Sequence, residues 1–185
     1  MKILVTGGAG YIGSHTTLAL LNAGYDVVVL DNFSNSSKLS LERVAILAGK
    51  SPNVIEGDIL DGSAMRSLFD SHSDISAVIH FAALKAVGES ADHPIRYYEN
   101  NVAGSIVLLR EMERAGVNNL VFSSSCTVYG EPKEVPIDES HPIGKVSSPY
   151  GRTKSIMENI ILDTFFAHSN FKAALLRYFN PIGAD

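Results

Sequence analysis

Short apolar runs recur along the chain, separated by stretches with helical spacing. The runs are Ile3, Leu4 and Val5, then residues 26–30 (DVVVL), 53–56 (NVIE), 77–82 (AVIHFA), 119–123 (NLVFS) and 172–179 (KAALLRYF). Runs of this length, rich in β-branched and aliphatic residues, read as strands buried on both faces. Helices are predicted over 11–23, 39–48, 63–69, 94–115 and 148–168. In 94–115, Ile95, Tyr98, Val102, Ile106, Leu109 and Met112 recur at three and four, one apolar stripe. Pro94 suits its first turn and Gly116 its end. Ser148 and Pro149 read as cap and first residue of the last helix, while 83–90 and 131–148 read as irregular segments. Strands alternating with helices predict an α/β domain, a doubly wound parallel sheet with helices on both faces. Ligands bind such sheets beyond the carboxyl ends of the strands. Chemistry is therefore expected in 7–13, 31–37, 58–59, 81–90, 123–130 and 179–183.

The first of those segments is glycine-rich. In KILVTGGAGYIGS a strand runs into Gly7, Gly8, Gly10 and Gly13 and then into a helix. Such a turn brings backbone N–H groups and the positive end of a helix to a phosphate. Gly7, Gly10 and Gly13 are spaced three apart, and Gly8, Gly10 and Gly13 also fit G-x-G-x-x-G, so the spelling leaves the individual roles open. Asp31 ends the second strand eighteen residues beyond Gly13, near the spacing at which a carboxylate meets an adenosine ribose. It would accept ribose hydroxyls and repel a 2′-phosphate, which favours NAD over NADP. Read plainly, Asp31 is a strand-end turn residue.

Tyr150 and Lys154 form a Y-x-x-x-K pair on one face of the last helix. An ammonium beside a phenol favours the phenolate. Bringing a tyrosine from ~10 to ~7 takes about 4 kcal/mol, more than one lysine supplies and within reach of a lysine plus a cationic cofactor ring. The bland alternative is an incidental pair on a solvent-facing turn. Ser123, Ser124 and Ser125 end the preceding strand, where a hydroxyl can bond a substrate alcohol and share its proton with Tyr150. Cys126 has no neighbouring histidine to activate it and reads as a small packed thiol.

Bulk properties narrow the classes. At 185 residues, 45% hydrophobic and 19% charged, the chain is the size and composition of one globular domain. A net charge of −5 without a basic run argues against nucleic acid. The six histidines and one cysteine show no metal-ligand spacing, so no metal is expected. One cysteine allows no intrachain disulfide, and no apolar stretch is long enough for a membrane helix. A cytoplasmic location is the expectation.

Several marks then stand in order: TGGAGYIG at 6–13, Asp31, Gly57-Asp58, FAALKAVGES at 81–90, SSSCTVYG at 123–130, Tyr150/Lys154 and LRYFNPIGA at 176–184. Together they resemble the extended short-chain dehydrogenase/reductase family, with its Rossmann-like fold, over the whole chain. Within it the likeness is to enzymes that interconvert UDP-glucose and UDP-galactose through a 4-keto sugar, holding NAD in place. The resemblance implies Tyr150 as the base at the sugar 4-hydroxyl, Ser125 at the same oxygen, and Lys154 on the nicotinamide ribose. It implies a cofactor site of Gly7, Gly10, Tyr11, Ile12, Gly13, Asp31, Asn32, Asp58, Ile59, Phe81, Ala82, Ala83, Lys85 and Asn100, together with Tyr150 and Lys154. Lys85, Ser125, Tyr150, Phe179 and Asn180 would meet the UDP-sugar. A 4,6-dehydratase of the same family is the nearest alternative, but similar dehydratases carry Asp-Glu where this chain has Cys126-Thr127. A non-catalytic NAD-binding module is the other. Family members continue into a smaller substrate domain, so 1–185 is expected to hold the cofactor half, with weak or no turnover by itself. Similar enzymes dimerise through the helices at 94–115 and 149–168; the apolar surplus of these helices suits a second copy or burial within one chain.

Overall fold

The computed structural model describes residues 1–132 and 134–183. Six strands form one parallel sheet: β1 (Lys2–Thr6), β2 (Asp26–Asp31), β3 (Asn53–Glu56), β4 (Ile75–His80), β5 (Asn119–Ser125) and β6 (Lys172–Tyr178). Their order is β3-β2-β1-β4-β5-β6, the doubly wound arrangement. The chain order reverses between β1 and β4, which opens a crevice at the carboxyl ends of those two strands.

Alternation along β1 and β2 separates two cores. Ile3, Val5, Val27 and Val29 face α1 (Tyr11–Asn22) and α2 (Lys38–Ala48), burying Leu18, Leu21, Leu41 and Val44. Leu4, Val28, Leu30, Val78 and Phe122 face the other way, onto α3 (Gly62–Ser71), α6 (Gly104–Arg114) and α7 (Pro149–Ala167). Each fully buried aliphatic side chain contributes about 1.5–3 kcal/mol, so these faces set strand register as well as stability. The helices begin where side chains cap them. Ser37 accepts from Leu39 N, Asp61 from Ser63 N and Ala64 N, and Ser148 from Gly151 N at 3.1 Å. Gly49 closes α2 in the left-handed conformation.

Two segments depart from the sequence reading. Residues 83–90 are not wholly irregular, because α4 (Val87–Asp92) forms there. The expected 94–115 helix is three pieces: α5 (Pro94–Tyr98), a π-helical turn (Glu99–Ala103) and α6. Its buried face also differs from the predicted stripe. Tyr97, Asn101, Ser105, Leu108 and Met112 are buried, whereas Ile95 is 68% and Ile106 43% exposed. Polar Asn101, within the π turn, faces inward.

Candidate active site

The carboxyl ends of β1, β2, β4, β5 and β6 surround a cleft of about 400 Å³. At its base Gly7 (φ 70°) leaves β1 in the left-handed region, and its N–H donates to the Leu30 carbonyl at 2.8 Å. A Cβ on Gly7 would stand 2.6 Å from Ala82 N, and one on Gly13 would overlap the Gly7 carbonyl. The turn is therefore built without side chains, and the chain after β4 lies directly against it. Gly10 caps α1 with no side-chain bond, and the first turn of α1 carries no acid. The positive end of α1 thus opens into the cleft, a seat suited to a diphosphate.

Asp31 does more than end β2. It is buried, and its Oδ2 accepts from Ala9 N at 2.9 Å, which holds the glycine turn. Its Oδ1 accepts from Phe33 N at 2.9 Å and from the Ser36 hydroxyl at 2.8 Å, drawing the following loop over the cleft and Phe33 to φ 54°. A carboxylate offers about four acceptor sites. Three are used internally, so Asp31 also shapes the glycine turn and the loop beside the cleft. Asp58 does not line the cleft; its Oδ2 accepts from Asn32 Nδ2, a cleft residue, at 2.9 Å.

Opposite the glycine turn, α7 enters with Tyr150 and Lys154 on one side. Gly151 allows the approach, since a Cβ there would crowd Val146 and Thr127. The Ser125 oxygen accepts from Thr127 N at 3.2 Å and from the Thr127 hydroxyl at 3.0 Å. Its own proton is left for the Tyr150 phenol oxygen, a bond that lowers the phenol's pKa. Burial outweighs it and raises Tyr150 above the ordinary tyrosine value, and the thiol of Cys126 adds to the rise. Lys154 is buried, donates to the Ser123 carbonyl at 2.7 Å, and sits 4.9 Å above the Phe122 ring. Burial lowers its pKa to about 8. Its ammonium is 6.0 Å from the Tyr150 ring centre. The expected pull of the lysine on the phenol is therefore not what governs Tyr150 in the protein alone.

Of the residues singled out in the sequence, Gly7, Gly10, Tyr11, Ile12, Gly13, Asp31, Asn32, Ile59, Phe81, Ala82, Ala83, Lys85, Asn100, Ser125, Tyr150, Lys154, Phe179 and Asn180 share this cleft. The Tyr11 hydroxyl donates to the Gly183 carbonyl across its mouth. Ala184, last of the 176–184 motif, lies outside the described residues. Sequence reasoning missed Ser34, Asn35, Thr127 and Tyr178, which also line the cleft. Ser34 and Asn35 fall in the segment already marked after the second strand, and Thr127 in the one after the fifth. Tyr178 lies within the 176–184 motif, at the end of the sixth strand. Asn101 has no signal: it is a buried polar residue whose partners are distant in sequence.

The model of the NAD dependent epimerase/dehydratase family matches residues 3–185. The chain belongs to that family. Among curated members it is 58% identical over 184 residues to a UDP-glucose 4-epimerase of Erwinia amylovora, covering all of this chain and 54% of that protein. It is 56% identical over 189 residues to the UDP-glucose 4-epimerase of Mus musculus, covering 99% of this chain and 54% of that one. A solved UDP-glucose 4-epimerase from Bifidobacterium longum, in complex with NAD+ and UDP, superposes with a TM-score of 0.98 at 49% identity. That match covers 100% of this chain and 55% of the other. The chain is thus a homologue of UDP-glucose 4-epimerases and spans about half the length of the curated relatives it matches. No helix among its described residues is long and apolar enough to cross a membrane.

Proposed function

We propose that this chain carries the NAD seat and the proton-transfer groups of a UDP-glucose 4-epimerase, interconverting UDP-glucose and UDP-galactose. One observation carries the reading: the Ser125–Tyr150 hydroxyl pair faces the glycine turn and the amino end of α1 across a single cleft. The residues fit a dinucleotide. The glycine turn excludes side chains where a diphosphate would approach, and the Asp31 loop supplies the polar groups of an adenosine site.

NAD, when bound, supplies the hydride acceptor for sugar C4 and a positive ring beside the phenol. The rest falls to the protein. Tyr150 takes the 4-hydroxyl proton at its phenol oxygen and returns it after the 4-keto sugar has presented its other face. Ser125 donates toward that oxygen and steadies its ionised form. Lys154, anchored by Ser123, would hold the nicotinamide ribose and keeps a positive charge near the phenol. Phe179 and Asn180 border the side from which a UDP-sugar would enter. Dehydration is disfavoured because Thr127, which stands where a dehydratase places a carboxylate, spends both its N–H and its hydroxyl on Ser125. Exposed Ile106 and Phe165, on α6 and α7, suit pairing with a second copy.

The test is formation of reduced nicotinamide when UDP-glucose is added to protein and NAD, with the parent compared to Tyr150→Phe. The variant is expected to react about 10²–10⁴-fold more slowly. Equal behaviour of the two would favour a module that binds NAD without chemistry.

A further inference from the structure

The segment between β4 and α4 is pinned on both sides of one residue. Leu84 N donates to Asn101 Oδ1 at 2.8 Å, and Asn101 Nδ2 donates back to the Leu84 carbonyl at 2.8 Å. Two residues on, Ala86 N donates to the Tyr97 phenol oxygen at 3.1 Å. Lys85 stands between them, exposed, lining the cleft, and its ammonium has no partner among the described residues. Both clamps come from the helix interrupted by the π turn, and both are fixed from behind. The Tyr97 hydroxyl donates to Glu89 Oε2 at 2.7 Å, and Arg96 holds the other oxygen of Glu89 at 2.7 Å. Asn101 Nδ2 reaches Thr153 Oγ1 at 3.1 Å, and that hydroxyl donates to the Tyr150 carbonyl at 2.6 Å. Asn101 therefore joins the Lys85 segment to the helix turn that bears Tyr150.

We infer that Tyr97 and Asn101 are positioning residues that hold the backbone on either side of Lys85 so that its ammonium meets a diphosphate in the cleft. The inference rests on the reading of that cleft as a site for NAD and a UDP-sugar. A lysine loses much side-chain freedom when it grips a phosphate. A backbone already fixed at 84 and 86 removes the further cost of ordering the loop at binding. Burial and the Glu89 bond raise the Tyr97 pKa to about 12, so the hydroxyl keeps its proton for Glu89 and its lone pair for Ala86.

The test is a double-mutant cycle read as affinity, without turnover. NAD and UDP-glucose are titrated separately into the parent, Lys85→Ala, Tyr97→Phe and the double variant. Lys85→Ala is expected to weaken binding about tenfold, and the ligand that shows the loss is the one whose diphosphate Lys85 meets. Tyr97→Phe is expected to weaken that ligand about fivefold in the parent, and less than twofold once Lys85 is gone. A role in stability alone would give the same loss in both backgrounds and would overturn the inference, as would Lys85→Ala with no effect on either ligand. Both results leave the proposed function standing. A parent that binds neither ligand overturns the cleft reading and this inference with it. Amide exchange provides a measurement that needs no variant: Leu84 and Ala86 should be protected in the ligand-free parent, and exchange at open-loop rates contradicts the clamp.

Discussion

Arg177 on β6 and Glu158 on α7 meet in a two-point ion pair, Nη2 to Oε2 at 2.7 Å and Nε to Oε1 at 3.0 Å. Glu158 is fully buried, Ser124 also donates to it, and the Arg177 guanidinium lies 4.8 Å over the Tyr129 ring. Glu158 holds Arg177 above the ordinary arginine range. The pair fixes α7, one turn beyond Lys154, to the strand that leads to Phe179 and Asn180.

Removing one partner would strand the other charge. Glu158→Ala is expected to cost about 3–5 kcal/mol of stability, read as a lower urea midpoint. A cost below about 1 kcal/mol would show that the guanidinium reaches water when released.

Two glycines should respond in opposite ways to alanine. At Gly13 a Cβ would meet backbone, the Gly7 carbonyl and, at 2.8 Å, Gly8 Cα, so the turn itself must shift. Gly13→Ala should lose about 1–3 kcal/mol and most of its NAD affinity. Gly88 has open space around its Cβ position and lies in α4. Gly88→Ala should gain about 0.5–1 kcal/mol and bind NAD as the parent does. Paired unfolding and titration curves check both.

Lys154 should leave a mark on the pH dependence of stability. Its folded pKa is depressed to about 8 by burial, against 10.5 ordinarily. Between those values the unfolded chain holds the proton and the folded one has released it, so stability rises with pH. Relative to Lys154→Met, the parent should gain on the order of 3 kcal/mol from pH 8 to pH 10.5. A difference independent of pH would mean that the Ser123 carbonyl keeps the ammonium charged.

The strands and the ligand-binding rim could be read from the sequence because both depend on local pattern. Residues such as Val27–Val29 and the glycines after Thr6 carry their own signal in period and backbone freedom. The π turn at Glu99–Ala103 does not. Its Asn101 turns inward to Leu84 and Thr153, partners far along the chain, while periodicity favours Ile95 and Ile106, which lie outside. Tyr150 shows the same limit for electrostatics. The Y-x-x-x-K spacing places Lys154 on the same helix face, but its ammonium is committed to Ser123 on a separate strand, which the spacing does not encode. Burial then decides the phenol's state.

The most direct test of the account is an equilibrium titration of NAD, and separately of NADP, into the purified chain. The account predicts saturable binding of one NAD per chain, with NADP weaker by more than about tenfold because a 2′-phosphate would meet the Asp31 charge. No binding of NAD, or equal affinity for the two, would contradict it.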